Sequence, residues 1–129
     1  MHTEALSEGA RFVSGKVKQF MKGWDIDDLD MILEACADDF VYDDPYDGRM
    51  TKAEFADYYR ELEDGEGVFS DEMVQEADGE ETHWIWWAWK PKGATEWRNE
   101  GCSLTKGGPD GVHSSRQAYY KGAGFRPTA

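Results

Sequence analysis

The chain has 129 residues, the size of one ordinary domain and long enough to bury a core without disulfide or metal staples. Its 14 basic and 27 acidic side chains leave a net charge of −13. That field repels phosphate backbones and anionic lipid heads, so nucleic acid and membrane surfaces are set aside as partners. With no apolar leader and no membrane-length apolar run, the expected location is cytoplasmic.

Taken in order, residues 8–24 carry Val13, Val17, Phe20, Met21 and Trp24 at helical spacing, which predicts an amphipathic first helix. Gly23 and the acidic run DIDD break it. An aspartate there is placed to cap a second helix, with Leu29, Ile32, Leu33 and Cys36 on its apolar stripe and an end near Asp38. The stretch FVYDDPYDG, residues 40–48, then reads as a strand ending in two adjacent acids and a proline. Thr51 and Glu54 form a T-x-x-E capping box, and Phe55, Tyr58, Tyr59 and Leu62 share one stripe, so a third helix is predicted over 52–63.

From about residue 71 the period changes. Four antiparallel strands in a meander are predicted near 72–77, 82–90, 96–105 and 112–121, separated by the turn signals ADGEE, KPKGAT and KGGPDG. The acid-rich run ELEDGEG reads as a solvated helix end and loop, and the two termini, MHTEALS and GAGFRPTA, read as loose. Helices followed by a meander specify an α+β fold with helices covering one face of the sheet, over an ordered core of about 8–121 in one domain.

In THWIWWAWK, alternation puts Trp84 and Trp86 on one face and Ile85, Trp87 and Trp89 on the other. Both faces of this strand are apolar. One face belongs to the core, and the other requires a cover, for which a second copy of the chain is the economical choice. A homodimer through the sheet is therefore expected. Cys36 and Cys102 lie far apart, and neither has a second thiol or histidine at ligand spacing, so no metal site is expected.

This order of elements resembles the nuclear transport factor 2-like superfamily, whose cone-shaped domains wrap a curved antiparallel sheet around three N-terminal helices in a cystatin-like architecture. The sharpest local likenesses are ADDFVYDDPYDG, residues 37–48, similar to the ketosteroid isomerase segment that ends a strand in an acid before proline, and DGVHSSRQAYY, residues 110–120, similar to the final strand of the SnoaL-like branch. Carried over, the resemblance implies a general base at Asp44, directly before Pro45. Asp43 points the opposite way. Phe20 stands where the isomerase has a tyrosine donor, and Ser103 where it has a second acid. Arg98 and Glu100 share a strand face, a partial likeness to limonene epoxide hydrolase-like members.

Two readings of function follow. The first is a cofactor-independent isomerase, dehydratase or hydratase acting on an apolar ring-containing molecule, with Asp44 and Glu100 as acid–base residues. Its pocket would be walled by Phe20, Trp24, Phe55 and Trp86, with Tyr46, Tyr58 and Ser103 as polar partners. The second is a non-catalytic ligand-binding or dimerisation domain of the same fold. Asp44 has its own two readings: a buried carboxylate of raised pKa serving as base, or a turn acid accepting hydrogen bonds as an anion. His83 and His113 are further proton carriers by chemistry, and surface or hydrogen-bonded residues by the simpler reading.

Overall fold

The computed structural model describes residues 15–126, with the backbone alone at 71–73. The expected first helix is present as α1 (Lys16–Asp25), its apolar side formed by Val17, Phe20 and Gly23; residues 8–14, including Val13, lie outside the described residues. At Gly23 the second helix comes so close that a Cβ would sit 2.5 Å from the Ile32 side chain. α2 (Leu29–Ala35) starts as predicted, because the Asp28 side chain accepts the Met31 amide at 3.1 Å.

α2 ends earlier than its stripe suggests. Cys36 has extended backbone and opens β1 (Cys36–Asp44), so its thiol packs into the core from a strand. The Lys52 ammonium donates to the Cys36 carbonyl at 3.0 Å. Burial pushes the thiol pKa up to about 12, which removes it as a nucleophile near neutrality. A short strand that the sequence pattern did not announce, β2 (Gly48–Thr51), folds back antiparallel on β1. Thr51 then begins α3 (Lys52–Glu61) with both halves of the capping box formed, and the Thr51 amide holds the Glu54 carboxyl below its usual pKa.

The meander is β3 (Gly65–Ala77), β4 (Glu80–Pro91), β5 (Asn99–Gly108) and β6 (Gly111–Lys121). β3 starts at Gly65, so the acidic run expected to be loop is partly strand, paired with the far end of β4. Gly65 is required there: a Cβ would fall 2.1 Å from the Trp89 indole nitrogen. The sheet order is β2-β1-β6-β5-β4-β3. β1 runs parallel to β6, so the sheet is mixed where an all-antiparallel one was expected. Register shifts in three of the pairings, β1–β6, β3–β4 and β5–β6, mark the bulges that bend it.

The concave face holds the core. Ile85, Trp87 and Trp89 point inward to meet Phe20, Phe40, Tyr42 and Phe55, while Trp86 remains 46% exposed on the convex face. Among the described residues no helix is long and apolar enough to cross a membrane.

At the β5–β6 end, His113 links the hairpin to β1. Its Nδ1 lies 2.6 Å from Asp39 and its Nε2 2.9 Å from Asp110. The hydrogen bond to Asp39 is the first cause of a raised pKa, with Asp110 adding to it. A raised folded pKa means that the native state binds more protons, so this stabilisation is complete below the unfolded value of about 6.5 and fades as pH rises through the folded value. Chemical denaturation of the parent and of His113→Gln should therefore show a stability gap that is largest at about pH 5–6 and closes towards about pH 9. A gap independent of pH would contradict the assignment.

Candidate ligand site in the cone

Asp44 closes β1 with only 2% of its surface exposed. Its Oδ1 accepts the Tyr46 amide at 2.8 Å and the Asp47 amide at 2.9 Å, and its Oδ2 accepts the Tyr119 hydroxyl from β6. Three donors on its two oxygens fit the turn-acid reading of Asp44. Three residues on, Asp47 Oδ2 accepts the Tyr58 hydroxyl at 2.6 Å and the Phe125 amide at 2.8 Å. Tyr42, Tyr58 and Tyr119 all have raised pKa values, burial being the largest cause in each, so they stay protonated as donors.

The other expected site residues separate into three groups. Phe20, Trp24 and Ser103 line an inward cavity, as foreseen. Phe55 and Tyr58 are packed solid on α3, with Phe55 against Trp24, Phe40 and Tyr42. Trp86 and Glu100 do not reach the cavity: alternation turns them to the convex face, where Glu100 lies 3.8 Å from Lys121. Tyr46 is 57% exposed at the turn and packs edge-on against Tyr119. Arg98 precedes β5 and pairs with Glu63 at 2.9 Å, so it forms no acid–arginine set with Glu100.

The cavity is small, about 30 Å³, room for one or two waters. Its walls are mostly aromatic, including Trp24, Tyr42, Phe69, Trp87 and Trp89, with Ser103, Thr105, Ser115 and Gln117 as a polar strip from β5 and β6. Thr105 and Ser115 share a 2.9 Å hydrogen bond, and Gln117 donates to Ser115 at 2.9 Å. Among the described residues the Trp87 indole N–H is buried without a hydrogen-bond partner, while the Tyr42 hydroxyl is turned towards Tyr58 and Asp44. Trp24 and Trp89 also line a second cleft of about 270 Å³, so these two indoles border both spaces.

Two features escaped the sequence reading. Phe125, from the tail expected to be loose, is only 5% exposed and closes the cone against Trp24, Trp87 and Trp89. Deeper along β4, Glu81 and His83 are each 1% exposed, and their side chains meet at 2.6 Å. Their i, i+2 spacing on a strand that alternates inward was the available signal for that pair. Among the described residues no cluster of three or more His, Cys, Asp or Glu side chains is arranged to hold a metal ion.

Replacing Asp44 by Asn keeps the shape but leaves the Tyr119 hydroxyl facing an amide and weakens the charge-assisted bonds to the turn. Urea unfolding at pH 7 should show a loss of about 1–3 kcal/mol. An unchanged or raised stability would restore the reading of Asp44 as a strained pocket base.

The SnoaL-like domain model matches residues 17–107. No curated protein shows significant sequence similarity to the chain. Among solved structures, a LEH-like epoxide hydrolase of M. tuberculosis is 14% identical with a TM-score of 0.66, over 84% of this chain and 83% of that one. A ketosteroid isomerase-like protein from Erwinia carotovora atroseptica is 12% identical with a TM-score of 0.67, over 88% and 98%. A computationally designed 17-OHP binder is 10% identical with a TM-score of 0.63, over 83% and 92%. At these identities the likeness establishes the α+β cone and leaves the chemistry to the residues. With the family model covering most of the chain and the cone in place, the protein belongs to the SnoaL-like family of the nuclear transport factor 2-like superfamily.

Proposed function

We propose that the chain binds a neutral, apolar, ring-containing small molecule in the cone, in the space opened when Phe125 leaves the cavity it lines, and that the ligand presents a hydrogen-bond acceptor. The observation that carries this reading is a buried donor without a partner among the described residues, Trp87 N–H, in an aromatic cavity with a narrow polar strip. Unpaired buried donors cost free energy that an acceptor would recover, while the aromatic walls favour a ring. A computationally designed protein of the same fold is a 17-OHP binder, so a cone of this kind can serve as a binding site.

The test uses tryptophan fluorescence and thermal melting of the intact chain with three bicyclic probes: α-tetralone, tetralin and 2-naphthoate. The ketone should raise the melting temperature most, the hydrocarbon less and the anion least. Saturation at about 100 times Kd corresponds to about 2.7 kcal/mol of stabilisation. No response to any ring overturns the reading.

One observation favours a catalytic version, an isomerase or hydratase. Glu81 and His83 form a buried carboxylate–imidazole pair on the concave face, and His83 is in register with the cavity-lining Thr105. In this version the proton carrier is His83 rather than Asp44, whose oxygens are occupied. Exchange of the α-protons of α-tetralone into deuterated water should then exceed the buffer rate, and His83→Gln should return it to that rate. Exchange no faster than buffer leaves binding alone.

For the convex face the proposed partner is a second copy of the chain. Trp86 and Tyr120, 46% and 67% exposed, pack edge-on at 6.1 Å, and Val68 is 54% exposed on the same sheet. Light scattering at micromolar concentration should report a dimer, and Trp86→Glu a folded monomer. A monomeric parent defeats this part.

A further inference from the structure

The C-terminal segment occupies the cone in a way that describes a ligand. The Phe125 ring lies 5.7, 5.2 and 5.3 Å from the Trp24, Trp87 and Trp89 rings, so it fills the aromatic mouth of the cavity it lines. Its backbone is read on both sides. The Phe125 N–H donates to Asp47 Oδ2 at 2.8 Å, and the Phe125 carbonyl accepts Arg98 Nη2 at 3.0 Å. Asn99, 1% exposed, donates its Nδ2 to the Gly124 carbonyl at 3.0 Å.

This approach is fitted to the chain. Gly124 has φ +98°, and a Cβ there would fall 2.4 Å from Asp47 Oδ1. Arg98 is held for its task by stacking over the Trp89 ring at 4.7 Å and by Glu63 at 2.9 Å. An acceptor, two donors and an aromatic box are thus set around one aryl side chain flanked by amides. None of these contacts requires that the amide belong to this polypeptide.

We propose that the cone mouth is a binding site for an N-acylated aromatic amide, a ring one or two carbons from a secondary amide, and that the tail occupies it as a competing internal ligand. The inference rests on the ring-binding reading above and names the ligand class. Asp47 takes the ligand N–H, Arg98 and Asn99 take its carbonyls, and Trp24, Trp87 and Trp89 take the ring. Binding displaces Phe125, so affinity in the intact chain is the intrinsic affinity multiplied by the fraction of time the tail is unseated.

The test titrates the full-length chain, Phe125→Ala and Gly124→Ala with N-acetyl-L-phenylalaninamide, following tryptophan fluorescence. Gly124→Ala keeps the core ring available but cannot seat the tail as described, and so serves if Phe125→Ala fails to fold. A second probe, 2-acetoxy-3-phenylpropanamide, swaps the N–H for an oxygen and keeps the ring. The amide should bind either variant about ten-fold more tightly than the parent, and about ten-fold more tightly than the ester. Adding Arg98→Met should weaken the amide by a similar factor.

Equal binding of amide and ester by the variants overturns the amide site while leaving ring binding intact. Equal binding of the amide by parent and variants overturns the tail as competitor. No binding of either probe to either variant overturns this proposal and the ring-binding reading together.

Discussion

The turn Asp44-Pro45-Tyr46-Asp47 is the constraint on which the rest depends. Asp44 ties the turn amides to Tyr119 on β6, and Asp47 ties Tyr58 on α3 to Phe125 in the tail. Two carboxylates three residues apart thereby fix the strand end, the parallel neighbour, a helix and the terminal segment to one another. The buried Asp44 and the half-buried Asp47 are tolerated because the oxygens named here meet backbone N–H groups and phenols rather than apolar surface. The phenols remain protonated because burial and the nearby aspartates both oppose their ionisation, so the network has a fixed direction of donation.

Given that anchor, the two faces of β4 diverge. The inward set Ile85, Trp87 and Trp89 joins the core, and the outward Trp86 stays in solvent with Tyr120. Bulges in the long strands curve the sheet around the helices, which concentrates the inward indoles at one end of the cone. The polar strip of Thr105, Ser115 and Gln117 is satisfied within itself, so it adds no strong demand on a ligand. The demand comes from the donor left over among the described residues, on Trp87.

Local rules made much of this legible. The Asp28 cap, the Thr51–Glu54 box and the alternation of β4 each depend on neighbours within a few residues, and each formed as the sequence indicates. The misses are long-range. Cys36 fits a helical stripe, yet α2 stops at Ala35 and the backbone turns extended to pair β1 with β6. GAGFRPTA has the composition of a free end, yet Phe125 finds three indoles from α1 and β4 and a carboxylate from the β1–β2 turn. Glu100 was read by its neighbours in sequence, while the parity that turns it outward is fixed by pairing with β4.

Charge narrows the ligand further within the proposed reading. The chain carries −13, and Asp44, Asp47 and Asp27 stand around the aromatic mouth through their bonds to Tyr119, Tyr58 and Tyr59. A carboxylate or phosphate entering past these groups would meet like charge in a poorly solvated setting, where the interaction is screened least. The Trp87 N–H inside asks for an acceptor, and the acidic groups around the mouth, with Arg98 already paired to Glu63, disfavour an anion. A neutral carbonyl satisfies both conditions, and an amide adds the N–H that Asp47 is positioned to accept. The polar pattern of the mouth and the electrostatics of the whole chain therefore select the same chemistry for different physical reasons.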